Sequence, residues 1–325
     1  MKFSIIIPVK TINDYVKETV PYIQALSGYE WELFIVTDNE EDSEWFEDDR
    51  IKIIDSGRVG PADKRDLAAK RATGSILFFL DDDSYPEPNI LEIASKNFTN
   101  TEVIALGGPG ITPLNDSFWQ RVSGATFLSK FTGGSPERYV SIGYSKEVDD
   151  WPSVNLMVRK NEFLLVGGFD TKYWPGEDTM LCLKLKKAGK KLIYEPKMIV
   201  WHHRRAGLTK HLKQVGAYGL HRGYFAKKNL ENSFKPKYFL PSFFFIFFII
   251  SIFYNFLPSS LQGVVICGWL IYGLSLLLGA IDILKYERVQ VMLVSLAYIF
   301  LTHLFYGLNF IYGFIIMKQL FSKLR

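Results

Sequence analysis

Apolar residues fall into short runs over residues 3–201 of this chain and into much longer ones over residues 239–317. Residues 3–9 read as a buried strand, with Pro8 near its end, where a missing backbone donor is tolerated. Residues 13–26 place Val16, Val20, Ile23 and Leu26 on roughly one side of a helix. Strands are predicted over 31–36 and 51–54, a short helix carrying Lys64, Arg65, Lys70 and Arg71 over 63–72, and a strand buried on both faces over 76–80. Further strands are predicted over 103–105, 154–158, 192–194 and 198–201, and a helix over 179–188 that closes at Gly189. Residues 161–166 form a segment stopped by Gly167-Gly168, and residues 115–147 carry no regular pattern. This alternation predicts an α/β fold with a mixed, mostly parallel sheet and helices on both faces. Ligands bind such sheets beyond the carboxyl ends of the strands, where Asp38 and the run Asp81-Asp82-Asp83 both fall.

The long apolar segments, residues 239–257, 262–281 and 289–317, each approach or exceed the roughly 20 residues that cross a bilayer as a helix. Before them, Leu208, Leu212, Val215, Tyr218 and Phe225 share one face of a predicted basic helix, expected to lie in the membrane interface. The expected organisation is a catalytic domain over 1–207, an interface helix region over 208–238 and a transmembrane region of about three helices over 239–325. Charge divides the same way: residues 1–196 carry 23 Lys/Arg against 31 Asp/Glu, a net of −8, and residues 197–325 carry 15 against 3, a net of +12. A basic excess just before a membrane segment marks a cytoplasmic flank rather than a nucleic-acid surface, and no nucleic-acid partner is expected. The first apolar run is too short and too Pro-interrupted for a signal peptide, so the catalytic domain is expected in the cytosol. Three spans would leave Lys318, Lys323 and Arg325 outside, which suggests that one segment is re-entrant or broken, the third at its glycines. Cys182 and Cys267 make neither a disulfide framework nor a metal cluster.

Three adjacent carboxylates repel one another and favour a cation, so Asp81-Asp82-Asp83 reads as a metal site at a strand end. The same residues with Ser84, Pro86 and Pro88 also make an acidic turn. Glu177-Asp178 opens a helix, where the helix dipole favours acids whether or not they do chemistry. No Gly-rich phosphate-cradling loop follows the first strand, which argues against nucleotidyl transfer.

The ordered set Ile-Ile-Ile-Pro-Val, Val-Thr-Asp38, Gly-Pro-Ala-Asp-Lys-Arg65-Asp, Leu-Asp81-Asp82-Asp83, Gly-Gly-Phe-Asp170 and Gly-Glu177-Asp178 resembles the family 2 glycosyltransferases over roughly residues 3–203. The resemblance implies a GT-A fold binding a nucleotide-sugar donor, with Mn2+ or Mg2+ neutralising the diphosphate leaving group. It places Asp83 on the metal, Asp81 on the metal or the ribose, and Pro8, Asp38 and Arg65 in the nucleotide pocket. Asp178 matches the catalytic base of inverting members, and Glu177 a capping or supporting group. His202 is expected to complete the metal shell, with His203 as the alternative. Thr37-Asp38 and Lys-Arg-Asp depart from the family's commonest residues, which leaves the nucleotide base open. Arg204 and Arg205 could clamp a phosphate or mark the membrane edge, and Trp174 and Trp201 could stack on a sugar or fill core.

Residues 115–147 lie where such enzymes build the acceptor site. Membrane segments beside a transferase imply an acceptor that is itself in the bilayer, such as a polyprenyl phosphate or lipid-linked saccharide. Gln214 is not followed by the Gln-x-x-Arg-Trp pattern of processive synthases, and His303 is either a lipid-phosphate contact or a satisfied bundle histidine. The expected activity is inverting transfer to that acceptor at the cytoplasmic face of the cell membrane in glycan biosynthesis. A polyprenyl-phosphate monoglycosyltransferase and a non-catalytic nucleotide-sugar-binding scaffold are the alternatives.

Overall fold

The computed structural model describes residues 1–42, 44–133, 135–169 and 173–320. They form two compact units, one of residues 1–111 and 140–203, the other of residues 112–139 and 204–320. Asp170, Lys323 and Arg325 lie outside the described residues.

In chain order the elements are β1 (Lys2–Pro8), α1 (Asp14–Gln24), β2 (Glu30–Thr37), β3 (Ile51–Asp55), α2 (Pro61–Arg71), β4 (Ile76–Leu80), β5 (Ser84–Pro86), α3 (Ile90–Asn97), β6 (Val103–Gly107) and β7 (Gly110–Ile111). There follow α4 (Phe118–Ala125), β8 (Lys146–Glu147), β9 (Asn155–Arg159), α5 (Lys160–Leu165), α6 (Glu177–Lys187), β10 (Lys191–Tyr194) and β11 (Val200–His202). The chain ends in α7 (Leu208–Lys227), α8 (Pro236–Ile252), α9 (Ser259–Ile283) and α10 (Val289–Ile311), the last continued by a π-helical turn at Tyr312–Ile316.

The first unit holds an eight-stranded sheet in the order β3-β2-β1-β4-β9-β6-β10-β8 and a small sheet β5-β11-β7. Strands β1, β2, β3 and β4 pair in parallel, and β9 runs antiparallel between β4 and β6. Alternation along β1 explains the layers, since successive side chains point to opposite faces. Phe3, Ile5 and Ile7 pack with Val16, Val20 and Ile23 of α1, whereas Ile6 packs with Phe34, Ala68 and Ala69, and with Leu181 of α6. All of Ile76 to Leu80 is buried, as its unbroken apolar run requires.

Glu32 interrupts this apolar pattern on β2 and is 2% exposed. Its carboxylate accepts hydrogen bonds from Ser4 Oγ at 2.7 Å, Lys52 Nζ at 2.8 Å, and the Thr73 N–H at 2.6 Å and Oγ1 at 2.9 Å. Gly74 closes the same corner, where a Cβ would sit 2.6 Å from Ser4 Oγ and 2.8 Å from Lys2 O. Burial raises the pKa of Glu32, but the bonds from Lys52, Thr73 and Ser4 outweigh it and bring the group from the ordinary 4.5 to about 2. A depressed folded-state pKa contributes stability above pH 4.5 that is lost as pH falls through about 2. Acid unfolding is therefore expected to weaken the fold by up to about 3 kcal/mol across that window through this residue. Glu32→Gln should lower the melting temperature near neutral pH and flatten that acid limb; an unchanged limb would remove Glu32 as its source.

The second unit contains the three apolar helices, of which Ser259–Ile283 and Val289–Ile316 are long and apolar enough to cross a membrane. The third apolar helix, α8, is shorter: its 17 residues reach about 26 Å, against a hydrocarbon core of about 30 Å. Residues 115–147, read as irregular in the sequence, contain α4, and residues 112–139 belong to this unit. Polar ties explain why. Arg121 pairs with Glu287 at 2.5 Å, Ser129 Oγ donates to Asp282 Oδ2 at 2.8 Å, and His303 Nε2 lies 2.7 Å from Thr132 O. His303 Nδ1 meets the Tyr272 hydroxyl at 3.1 Å, so it is a satisfied bundle histidine. His211 lies between Ser123 Oγ at 2.7 Å and Thr302 Oγ1 at 2.8 Å, and burial pushes its pKa down to about 4, which keeps it neutral.

Helix α7 packs within the second unit. Leu212, Val215 and Phe225 are buried, but Tyr218 is 43% exposed, and the closest packing is on glycines. A Cβ on Gly219 would come within 2.5 Å of Tyr306 O, and one on Gly223 within 2.2 Å of Phe310 O. Small residues let the α7 and α10 backbones meet, so the buried face of α7 is taken up by a helix of its own unit.

Candidate active site

The candidate residues of the first unit gather where β1, β2 and β4 end. Pro8 is the last residue of β1, buried and in register with Val36. Asp38 follows β2, and Asp81 to Asp83 follow β4. Antiparallel pairing of β11 with β5 sets His202 opposite Ser84, and a bond from the His203 N–H to Asp83 O, 2.9 Å, continues that pairing. His202 Nε2 consequently lies 3.2 Å from Asp83 Oδ1.

Asp81, Asp83 and His202 each offer one ligand atom, all within 4.8 Å of one another. Two carboxylate oxygens and one imidazole nitrogen suit a divalent cation, and a hard-to-borderline ion such as Mn2+ accepts both donor types. Of the three, Asp83 is buried, at 3% exposed. The donor set therefore fits a divalent ion. His203 does not belong to it: its Nε2 meets Glu18 Oε2 at 3.0 Å and its ring stacks on Tyr15. Asp82 accepts from Asn13 Nδ2 at 2.7 Å, which ties it to the N-cap of α1.

The first turns of α2 organise the rest. Lys64 reaches both Asp38 Oδ1 and Val9 O. Arg65, also 3% exposed, donates from Nη2 to Asp81 Oδ1 at 2.6 Å and from Nη1 to Glu177 Oε1 at 3.2 Å, with its guanidinium over Phe169. Asp66 accepts the Phe169 N–H at 2.9 Å. Consecutive residues on a helix point about 100° apart, so three neighbours can engage three separate loops.

Glu177 and Asp178 occupy the first turn of α6, entered through Gly176 at φ +116°. Burial, with Asp178 adding to it, pushes the Glu177 pKa up to about 7 against the opposing charge of Arg65. Asp178 is half-buried and accepts the Thr179 N–H at 2.7 Å.

Sequence reasoning missed Lys64 as the partner of Asp38 and Glu177 as a buried ion-pair partner of Arg65. Lys64 lies beside Arg65 on a helix that also carries Asp63, Asp66, Lys70 and Arg71, so its sequence does not single it out, and nothing local distinguishes Glu177 from a capping acid. Trp201 donates to Glu87 Oε1 at 2.7 Å. Arg204 belongs to the second unit, where its Nε donates to Thr112 Oγ1 at 3.1 Å and its guanidinium covers Tyr139.

Comparison with known proteins bears on the fold that carries these residues. The profile of the family described as glycosyl transferase family 2 matches residues 4–160. A pre-mycofactocin glycosyltransferase of Mycobacterium tuberculosis is 31% identical over 160 residues, which make up 49% of this chain and 33% of that protein. The chain thus spans about a third of the length of this relative. A second relative, from Methanococcus voltae, is the dolichyl N-acetyl-alpha-D-glucosaminyl phosphate 3-beta-D-2,3-diacetamido-2,3-dideoxy-beta-D-glucuronosyltransferase, 25% identical over 251 residues, 76% of this chain and 73% of that one. Among solved structures, a mannosyltransferase from Pyrobaculum calidifontis in complex with GDP-Man and Mn2+ superposes with a TM-score of 0.56 at 15% identity, covering 98% of this chain and 88% of the other. Residues 4–160 of this chain thus match the profile of glycosyl transferase family 2, and the fold that carries them is GT-A.

Proposed function

We propose that this protein transfers a sugar, with inversion, from a nucleotide-sugar donor to a lipid-linked or polyprenyl-phosphate-type acceptor at the cytoplasmic face of a membrane. The observation that carries the reading is the convergence of Asp81, Asp83 and His202 at the strand ends, with Arg65 linking Asp81 to the turn that bears Asp178.

In this reading Asp38, held by Lys64, and the end of β1 at Pro8 receive the nucleoside. Asp81, Asp83 and His202 would hold Mn2+ or Mg2+, which neutralises negative charge growing on the departing diphosphate. Asp178 accepts the proton of the acceptor hydroxyl while that oxygen bonds to the anomeric carbon and the bond to the diphosphate breaks on the opposite face. With a phosphate as acceptor no strong base is needed, and Asp178 orients the nucleophile instead. The relative that acts on a dolichyl phosphate sugar supports the acceptor class. So do two helices of membrane-spanning length beside a basic segment, which favours anionic headgroups and a cytoplasmic flank.

Thermal unfolding with UDP, GDP, CDP and ADP, each with and without Mn2+ or Mg2+, tests the donor half. One nucleotide is expected to stabilise the protein only with the metal, by about 2.7 kcal/mol at a hundred times its dissociation constant. No stabilisation by any pair would sink the reading.

A further inference from the structure

The two ends of the Arg65 guanidinium serve groups with different expected duties. Nη2 holds Asp81, a member of the metal-site cluster, and Nη1 holds Glu177, the residue before the expected base. Arg65 is almost wholly buried, and its Nε is buried with no hydrogen-bond partner among the described residues. The guanidinium therefore depends on these two carboxylates, and a buried cation that lost both would be strongly disfavoured. Asp81 is 34% exposed and Glu177 only 7%, so Asp81 is the partner with room to turn toward an incoming ion.

We propose that Glu177 is a positioning residue that couples metal binding to the base-bearing turn of α6 through Arg65. When Asp81 turns to a divalent cation or its water, Arg65 is left to Glu177 alone, and the first turn of α6 is held more firmly. By reciprocity, Glu177 must then strengthen metal binding at a site that it does not touch, because it compensates the charge that Asp81 leaves behind. The proposal rests on the metal reading above.

Mn2+ titrations of the full-length protein in detergent, alone and with GDP or UDP, followed by calorimetry, test it without any turnover measurement. Glu177→Gln is expected to weaken Mn2+ binding about tenfold, and Arg65→Gln to leave it equal or tighter, since Asp81 then has no competing partner. Damage to the fold would weaken both, so binding left unweakened in Arg65→Gln separates the two explanations. In the Arg65→Gln background, Glu177→Gln should change Mn2+ affinity by less than about twofold. If the two substitutions instead act additively, Glu177 works through space and the coupling is overturned. An unchanged affinity in Glu177→Gln overturns it too, while the metal reading stands. Absence of Mn2+ binding in the unsubstituted protein removes both readings.

Discussion

Asp83→Ala is expected to reduce sugar transfer by about a thousandfold and to abolish the metal-dependent part of nucleotide diphosphate binding. Asp83 is the most buried carboxylate of the cluster and the one that meets His202, at 3.2 Å. Its backbone carbonyl, held by the His203 N–H, is untouched by the substitution, so the β5–β11 pairing should survive. Loss of fold is thus separable from loss of chemistry by comparing melting temperatures without nucleotide. His202→Ala should act in the same direction but less strongly, because two carboxylates remain. Transfer that persists undiminished in Asp83→Ala, assayed across a donor panel with Mn2+ present, would exclude the metal role.

Asp178→Asn is expected to lower kcat by about a hundredfold to ten-thousandfold with a hydroxyl acceptor while leaving metal-nucleotide binding within about twofold. The asymmetry follows from position. Asp178 lies on the first turn of α6, outside the Asp81, Asp83 and His202 cluster, and its neighbour Glu177 is joined to Asp81 through Arg65. Asn keeps the side-chain oxygen that accepts the Thr179 N–H at 2.7 Å, so the helix start should stay intact. With bare polyprenyl phosphate as acceptor the loss should be much smaller, since the nucleophile is already ionised. A full-sized kcat with a hydroxyl acceptor would remove Asp178 as base. Tight nucleotide binding with no product from any acceptor, even in the unsubstituted protein, would favour a binding scaffold.

Much of the first unit was legible because its signals are local. Unbroken apolar runs mark strands buried on both faces, and each of β1, β2 and β4 appears within a residue or two of its predicted span. Asp38 and Asp81 to Asp83 were placed at strand ends by counting alone. The α4 segment was not legible, because its eight residues are held by Arg121, Ser123 and neighbouring groups against residues more than eighty positions away. The glycines of α7 were also silent, since a glycine that permits close helix packing looks in sequence like one that weakens a helix.

The sequence by itself determined the α/β alternation, the acids at the strand ends, the concentration of basic charge before the apolar segments and the ordered motifs of the family. These depend on periodicity and composition, which every short window carries. Only the tertiary structure decided that His202 rather than His203 faces Asp83, that Lys64 rather than Arg65 serves Asp38, and that Arg65 joins Asp81 to Glu177. Each of these choices turns on which way a side chain points once distant strands and helices meet. A one-residue shift in the pairing of β11 with β5 would exchange the two histidines, and no local pattern records that register.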